Sequence, residues 1–177
     1  MRTFSHALIT TVLGKSARLK RGGLVAFVLG SVLPDAPVGV LMVLALLENP
    51  NMQEAMDIMD RAFYSDPVWI ALHNTPHSLV AMGVLSVLGY ALRRRRWGRW
   101  LLWYAAGSVL HIVIDVATHA GDGPMFLYPL SGYRFESPVS YWDPAYYGRA
   151  FTVFEYLLDA VLLVYLFVTY RLSKQRA

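Results

Sequence analysis

The chain has 177 residues, of which 56% are hydrophobic and only 16% charged, with a mean hydropathy of +0.40. That is too apolar for an ordinary soluble domain and points to a single membrane-embedded helical domain spanning 1–177. The formal charge of +4 does not mark a nucleic-acid-binding protein, because the basic residues sit in short clusters at the ends of apolar runs. Cysteine is absent, which excludes disulfides and thiolate ligands, so any metal must be held by imidazole, carboxylate or backbone oxygen.

The first apolar stretch, 3–14, carries His6 and is short for a span. It lacks the early basic region and small-residue cleavage site of a secretory signal, and is expected to be retained as a short N-terminal helix. The first long apolar segment, 24–47, follows Lys15, Arg18, Lys20 and Arg21. Asp35 lies in its middle, between Pro34 and Pro37, which break the helix and free backbone carbonyls. Irregular backbone at that depth is tolerated only inside protein or along a cavity, so Asp35 reads as a ligand or a proton-handling group.

Segment 48–75 is acidic. Asp66-Pro67 and Thr75-Pro76 each read as an N-cap followed by proline at the first helical position. They predict a short helix over 67–73 that ends at His73. They also predict a second long helix over 76–92 with His77 in its first turn. The start of that helix, at Thr75–Ser78, is expected to offer free backbone N–H groups to an anion.

Arg93, Arg94, Arg95, Arg96 and Arg99 join this helix to a third apolar segment, 100–119. Its last nine residues, HIVIDVATH, place His111, Asp115 and His119 at intervals of four, on one helical face. Three ligand-type residues on one face of a buried helix are hard to explain by packing, and a metal or catalytic role is the reading that follows. His111 and His119 would stand about 12 Å apart along the axis, which favours two adjacent ions or leaves one histidine outside the coordination sphere.

Loop 120–149 is rich in Gly, Pro, Tyr and Trp and suits a membrane interface or a lid. Its Arg134 offers a charge-assisted contact to a phosphate. The last apolar segment, 150–171, carries Glu155 and Asp159 near its start and is followed by Arg171, Lys174 and Arg176. These two acids are read as partners of the histidines or as ion-pair partners of Arg134 or Arg149. One alternating topology places twelve of the 16 Lys and Arg residues on a single side, which the positive-inside rule makes cytoplasmic. The expected fold is therefore an all-α integral membrane bundle: four long spans, a short N-terminal helix and an aromatic extracytoplasmic loop.

An early FSHAL, then GSVLPD, then a HxxxHS element and a late HxxxDxxxH helix occur in that order. This pattern resembles the YdjM/DUF457 family of inner-membrane proteins, described as membrane-bound metal-dependent hydrolases. The resemblance implies an inner-membrane location and polar site positions at His6, Asp35, His73, His77, His111 and Asp115, with His119 extending the last motif. The family commonly has a glycine and a basic residue between the paired histidines, where this chain has HNTPHS.

The function expected from residues and resemblance together is metal-dependent hydrolysis of a lipid-like phosphate or carboxylic ester. One or two divalent ions, zinc first and manganese or iron next, would be held by His6, Asp35, His77, His111, Asp115 and His119. His73, Glu155 and Asp159 would orient ligands or move protons; Arg134, Thr75 and Ser78 would bind substrate. A metal-ion or proton transporter and a haem-binding protein are the alternative classes.

Overall fold

A computed structural model describes residues 1–175, and its regular elements are helical. Arg176, counted above among the basic residues after the last span, lies outside the described residues. Eight α-helices follow one another: α1 Thr3–Ser16, α2 Arg21–Val32, α3 Ala36–Glu48, α4 Met52–Ser65, α5 Pro67–Asn74, α6 Leu79–Ala91, α7 Arg96–Thr118 and α8 Gly148–Gln175. No β-strand forms among the described residues, apart from an isolated bridge between Ala120 and Glu136.

Three helical stretches are long and apolar enough to cross a membrane: Arg21–Glu48, Arg96–Thr118 and Gly148–Gln175. The segment expected as a fourth long span is shorter than predicted. Its helix, α6, has 13 residues and begins at Leu79 rather than Pro76. The reason is local. The Ser78 hydroxyl accepts from the Ala81 amide and caps α6, while Thr75 stays in the helical region as the C-cap of α5. His77 therefore sits in the turn between α5 and α6. The other proline signal holds: Asp66 caps α5, accepting from the Val68 and Trp69 amides, with Pro67 in the first turn.

The first span is broken where its prolines predict. A 3-10 turn at Leu33–Asp35 separates α2 from α3. Pro34 has no N–H to donate to the Gly30 carbonyl, which accepts instead from the Ser108 hydroxyl of α7 at 2.8 Å. The break thus ties two spans together as well as bending one.

Helix α7 is the centre of the bundle, packed between α2 and α6, and α1 lies on α2 and α8. The α2–α7 contact is backbone against backbone. A Cβ on Gly30 would fall on the Tyr104 carbonyl, and one on Gly107 on the Phe27 carbonyl. Buried Ala26, Ser31 and Ser108 complete a seam of small residues. On the far side of α7, Met82 of α6 packs on Ala105 and Ile112. Helix α4 covers α3 through Ala55 and Met59 against Leu41 and Ala45. Helix α8 leaves Val153, Phe154, Leu157, Val161, Val164 and Phe167 uncovered, as a helix facing lipid does.

The seam makes a direct prediction. Gly30→Leu or Gly107→Leu forces α2 and α7 apart and should lower the thermal unfolding midpoint in detergent, at a cost of about 1–3 kcal/mol or more. Gly83→Ala, with open space around the added methyl, should leave the midpoint unchanged.

Candidate metal centre

Two helical breaks and one helix face bring four side chains to one point. Asp35 comes from the 3-10 turn, His77 from the turn before α6, and His111 and Asp115 from one face of α7. One ligand atom from each lies within 4.8 Å of all the others. His77 Nε2 and His111 Nε2 are 3.0 Å apart. His111 Nε2 is 3.0 Å from Asp115 Oδ2 and 3.4 Å from Asp35 Oδ1. His77 Nε2 is 3.6 Å from Asp35 Oδ1 and 3.9 Å from Asp115 Oδ2.

Hydrogen bonds on the far side of each ring decide what the near side offers. His111 Nδ1 lies 2.9 Å from the Ser31 carbonyl and His77 Nδ1 lies 2.6 Å from the His73 carbonyl. A carbonyl only accepts, so both Nδ1 atoms carry the proton. In the neutral rings both Nε2 atoms are then lone pairs, facing each other and two carboxylate oxygens. Four acceptors with no proton among them repel unless a cation stands between them.

The donor set fits a metal ion. Bonds of about 2.0–2.1 Å arranged tetrahedrally set ligand atoms about 3.3–3.4 Å apart. The five measured separations, 3.0 to 3.9 Å, bracket that edge. Imidazole and carboxylate ligands, with each imidazole held through its other nitrogen, are what zinc, manganese and iron sites use.

His6 joins from α1. This short helix starts beside the end of α7, where the Met1 amino group lies 3.1 Å from Asp115 Oδ1, and runs toward the basic turn at Arg18. His6 is buried, its Nε2 is 2.9 Å from Asp115 Oδ1, and its ring stacks at 4.0 Å on that of His111. It touches the carboxylate oxygen opposite the four-atom group and thereby fixes the orientation of Asp115. Thr3 acts likewise on Asp35, donating to Oδ2 at 2.5 Å.

His119 lies outside the four-atom group. Helix α7 ends at Thr118, and His119 has extended backbone (φ −124°, ψ 128°), so it leaves the face shared by His111 and Asp115. Its Nδ1 lies 2.8 Å from the Asp115 carbonyl and its ring stands against Tyr141. Burial lowers the pKa of its imidazole below the ordinary value.

The other predicted residues have different work. His73 lends its carbonyl to His77, and its own ring sits 4.5 Å from that of His77 and 4.9 Å from that of Phe63. Burial pushes its imidazole down to about 3, so it stands neutral. Glu155 and Asp159 are buried, but they pair with neither Arg134 nor Arg149 and make no hydrogen bond to a histidine. Glu155 accepts from the Arg2 amide and guanidinium, and the Ser5 hydroxyl lies 2.9 Å from both acids. They fasten α1 to α8 and so reach the centre through Met1, Thr3 and His6.

The anion site expected at Thr75–Ser78 has little left to offer, because Pro76 has no N–H and the Thr75 and Ser78 amides are taken. Thr75 donates to the Ala71 carbonyl, Ser78 to the Thr75 carbonyl and Leu79 to the Phe126 carbonyl. The Ser78 hydroxyl also donates to the Tyr128 carbonyl. Arg134 is likewise engaged: it donates to the Gly123 carbonyl, and its guanidinium lies over the Tyr64 ring. Sequence reasoning missed Asn74, whose Oδ1 accepts from the Met125 amide at 2.7 Å and pins the loop over the site. Its position between two site histidines was the available signal. Thr3 and Ser5 gave none beyond proximity to His6.

Fold and site together define a helical membrane protein with a buried His/Asp group able to hold a metal ion. The chain belongs to the YdjM inner membrane protein family, whose pattern matches residues 1–176. No curated protein and no solved structure matches it.

Asp115→Asn and His111→Ala should each lower bound transition metal by about tenfold or more, read by elemental analysis of the purified protein. His119→Ala should keep it; loss of metal on that change would place His119 in the coordination sphere.

Proposed function

We propose that the protein is a membrane-embedded, metal-dependent hydrolase whose site lies in the outer half of the bundle, beneath the aromatic loop. The observation that carries this reading is the pair of imidazoles whose Nε2 lone pairs converge with two carboxylates while both Nδ1 atoms are pinned. His77, His111, Asp35 and Asp115 would hold one ion, zinc being the metal best suited to a four-ligand group of this size. When bound, a divalent ion would supply a Lewis acid and, with a coordination position left open beside these ligands, would bring the pKa of a bound water toward 7. His6 and Thr3 hold the two carboxylates in place. Asp35 is the most accessible of the four, at 20% exposure against 5% or less for the others, so its side is where an ester would enter.

Depth supports an extracytoplasmic opening. His111 is 15 residues beyond Arg96 and Asp35 is 14 beyond Arg21. Each therefore stands about 21–22 Å from the basic end of its helix, within a hydrocarbon layer of about 30 Å. With the basic ends cytoplasmic, the spans Arg21–Glu48, Arg96–Thr118 and Gly148–Gln175, aided by α1 and the shorter α6, cross the membrane with the centre nearer its outer face. A lipid-like phosphate or carboxylic ester suits that position. Arg134 would meet such a substrate only by leaving Gly123.

Two features favour hydrolysis over the alternatives. Transport requires a path to the cytoplasm, and the glycine seam at Gly30 and Gly107 closes α2 on α7 directly below the site. Bis-histidine haem requires a gap for the porphyrin between its ligands, whereas His77 and His111 meet at 3.0 Å with carboxylates alongside.

The test is turnover by the full chain in detergent on p-nitrophenyl butyrate and bis-p-nitrophenyl phosphate. Activity on one class should fall with a chelator, return with zinc or manganese, and drop about 100-fold or more in Asp115→Asn. Metal-loaded protein that turns over neither ester class would overturn the hydrolase reading.

A further inference from the structure

At the opposite end of the bundle the turn between α1 and α2 and the start of α7 line a half-open cavity of about 810 Å³. Its volume falls in the range of small-molecule sites. Five cations line it: Arg18, Lys20 and Arg21 from one wall, Arg96 and Arg99 from the other. The two basic clusters, far apart in sequence, therefore converge on one space.

Among the described residues no counter-charge pairs with them. The chain has no Asp or Glu in 1–34 or in 67–114, the segments that form both walls. None of the five cations makes an ion pair among the described residues. Mutual repulsion among five like charges around one cavity opposes its closure, and an anion inside it relieves that repulsion.

The remaining lining is suited to a phosphate at a membrane surface. Trp100 and Trp103 supply aromatic walls, and the Trp103 indole lies against Gly23, where an added Cβ would come within 3.0 Å of it. Gly22, with open space where a Cβ would stand, leaves the first turn of α2 open to the cavity, and no side chain caps either α2 or α7. Arg18 holds its place in the left-handed region at φ 56°, a conformation unusual for a residue with a side chain.

We propose that this cavity is a binding site for a phosphate-bearing anion, the headgroup of an anionic phospholipid or free phosphate. It is separate from the metal centre and does not depend on the hydrolase reading. Guanidinium groups on both walls give charge-assisted hydrogen bonds to phosphate oxygens, and the tryptophans flank the glycerol region when the ligand is a lipid.

Native mass spectrometry of the delipidated full chain tests the site with palmitoyl-oleoyl phosphatidylglycerol, the matching phosphatidylcholine, and inorganic phosphate. One phosphatidylglycerol per chain should be retained, in about tenfold preference over phosphatidylcholine. The paired change Arg18→Gln with Arg99→Gln should reduce retention about tenfold or more. Arg93→Gln with Arg94→Gln removes the same charge outside the cavity and should change it less than about twofold. Displacement of the lipid by millimolar phosphate would assign the site to free phosphate, and resistance would assign it to the headgroup. Equal loss in both paired variants, or no preference between the two lipids and no phosphate bound, would overturn the proposal.

Discussion

Two imidazoles held nose to nose organise this protein. His77 and His111 are each fixed from behind by a backbone carbonyl, and their Nε2 atoms meet at 3.0 Å beside two aspartates. In an apolar bundle such a cluster is costly to assemble, because each group gives up water for neighbours that also present lone pairs. The carbonyls that fix the rings come from places where helical bonding is interrupted: Ser31 just ahead of the proline break, His73 at the end of α5. The irregular backbone thus has a use at each position where it occurs.

The rest of the polar inventory supports that cluster in layers. Asp115 presents one oxygen to the group and the other to His6, and Asp35 presents its second oxygen to Thr3. Both supporting residues lie on α1, which has little apolar length of its own. Arg2 and Ser5 bind it to Glu155 and Asp159 of α8. A short helix that would pack weakly in a membrane is thereby held by buried hydrogen bonds, and its correct placement is coupled to the geometry of the centre.

Helix packing supplies the rigidity. Lipid gives apolar side chains little reason to prefer each other, so spans associate through close backbone approach and polar contacts. The α2–α7 seam has both: glycine against carbonyl at two points, and the Ser108 hydroxyl on the Gly30 carbonyl between them. The same contact that closes the bundle toward its basic end brings the Ser31 carbonyl to His111.

The helical content, the placement of the longest apolar segments, the break at Pro34 and the shared face of His111 and Asp115 were legible in the sequence. Each depends on local chemistry: hydropathy over a span, a missing N–H, a spacing of four on one helix. His119 was misplaced by that same rule, since periodicity holds only while the helix continues and α7 stops at Thr118. Pro76 was misread as a helix start because Ser78, two residues on, is the cap that the α6 amides use. Only the tertiary structure decided that α1 enters beside the end of α7, so that His6 reaches Asp115. It alone showed that Glu155 and Asp159 serve α1, that a loop carbonyl takes the Ser78 hydroxyl at the expected anion site, and that two distant arginine clusters share one cavity. Those outcomes rest on contacts between segments far apart in the chain, which no local pattern encodes.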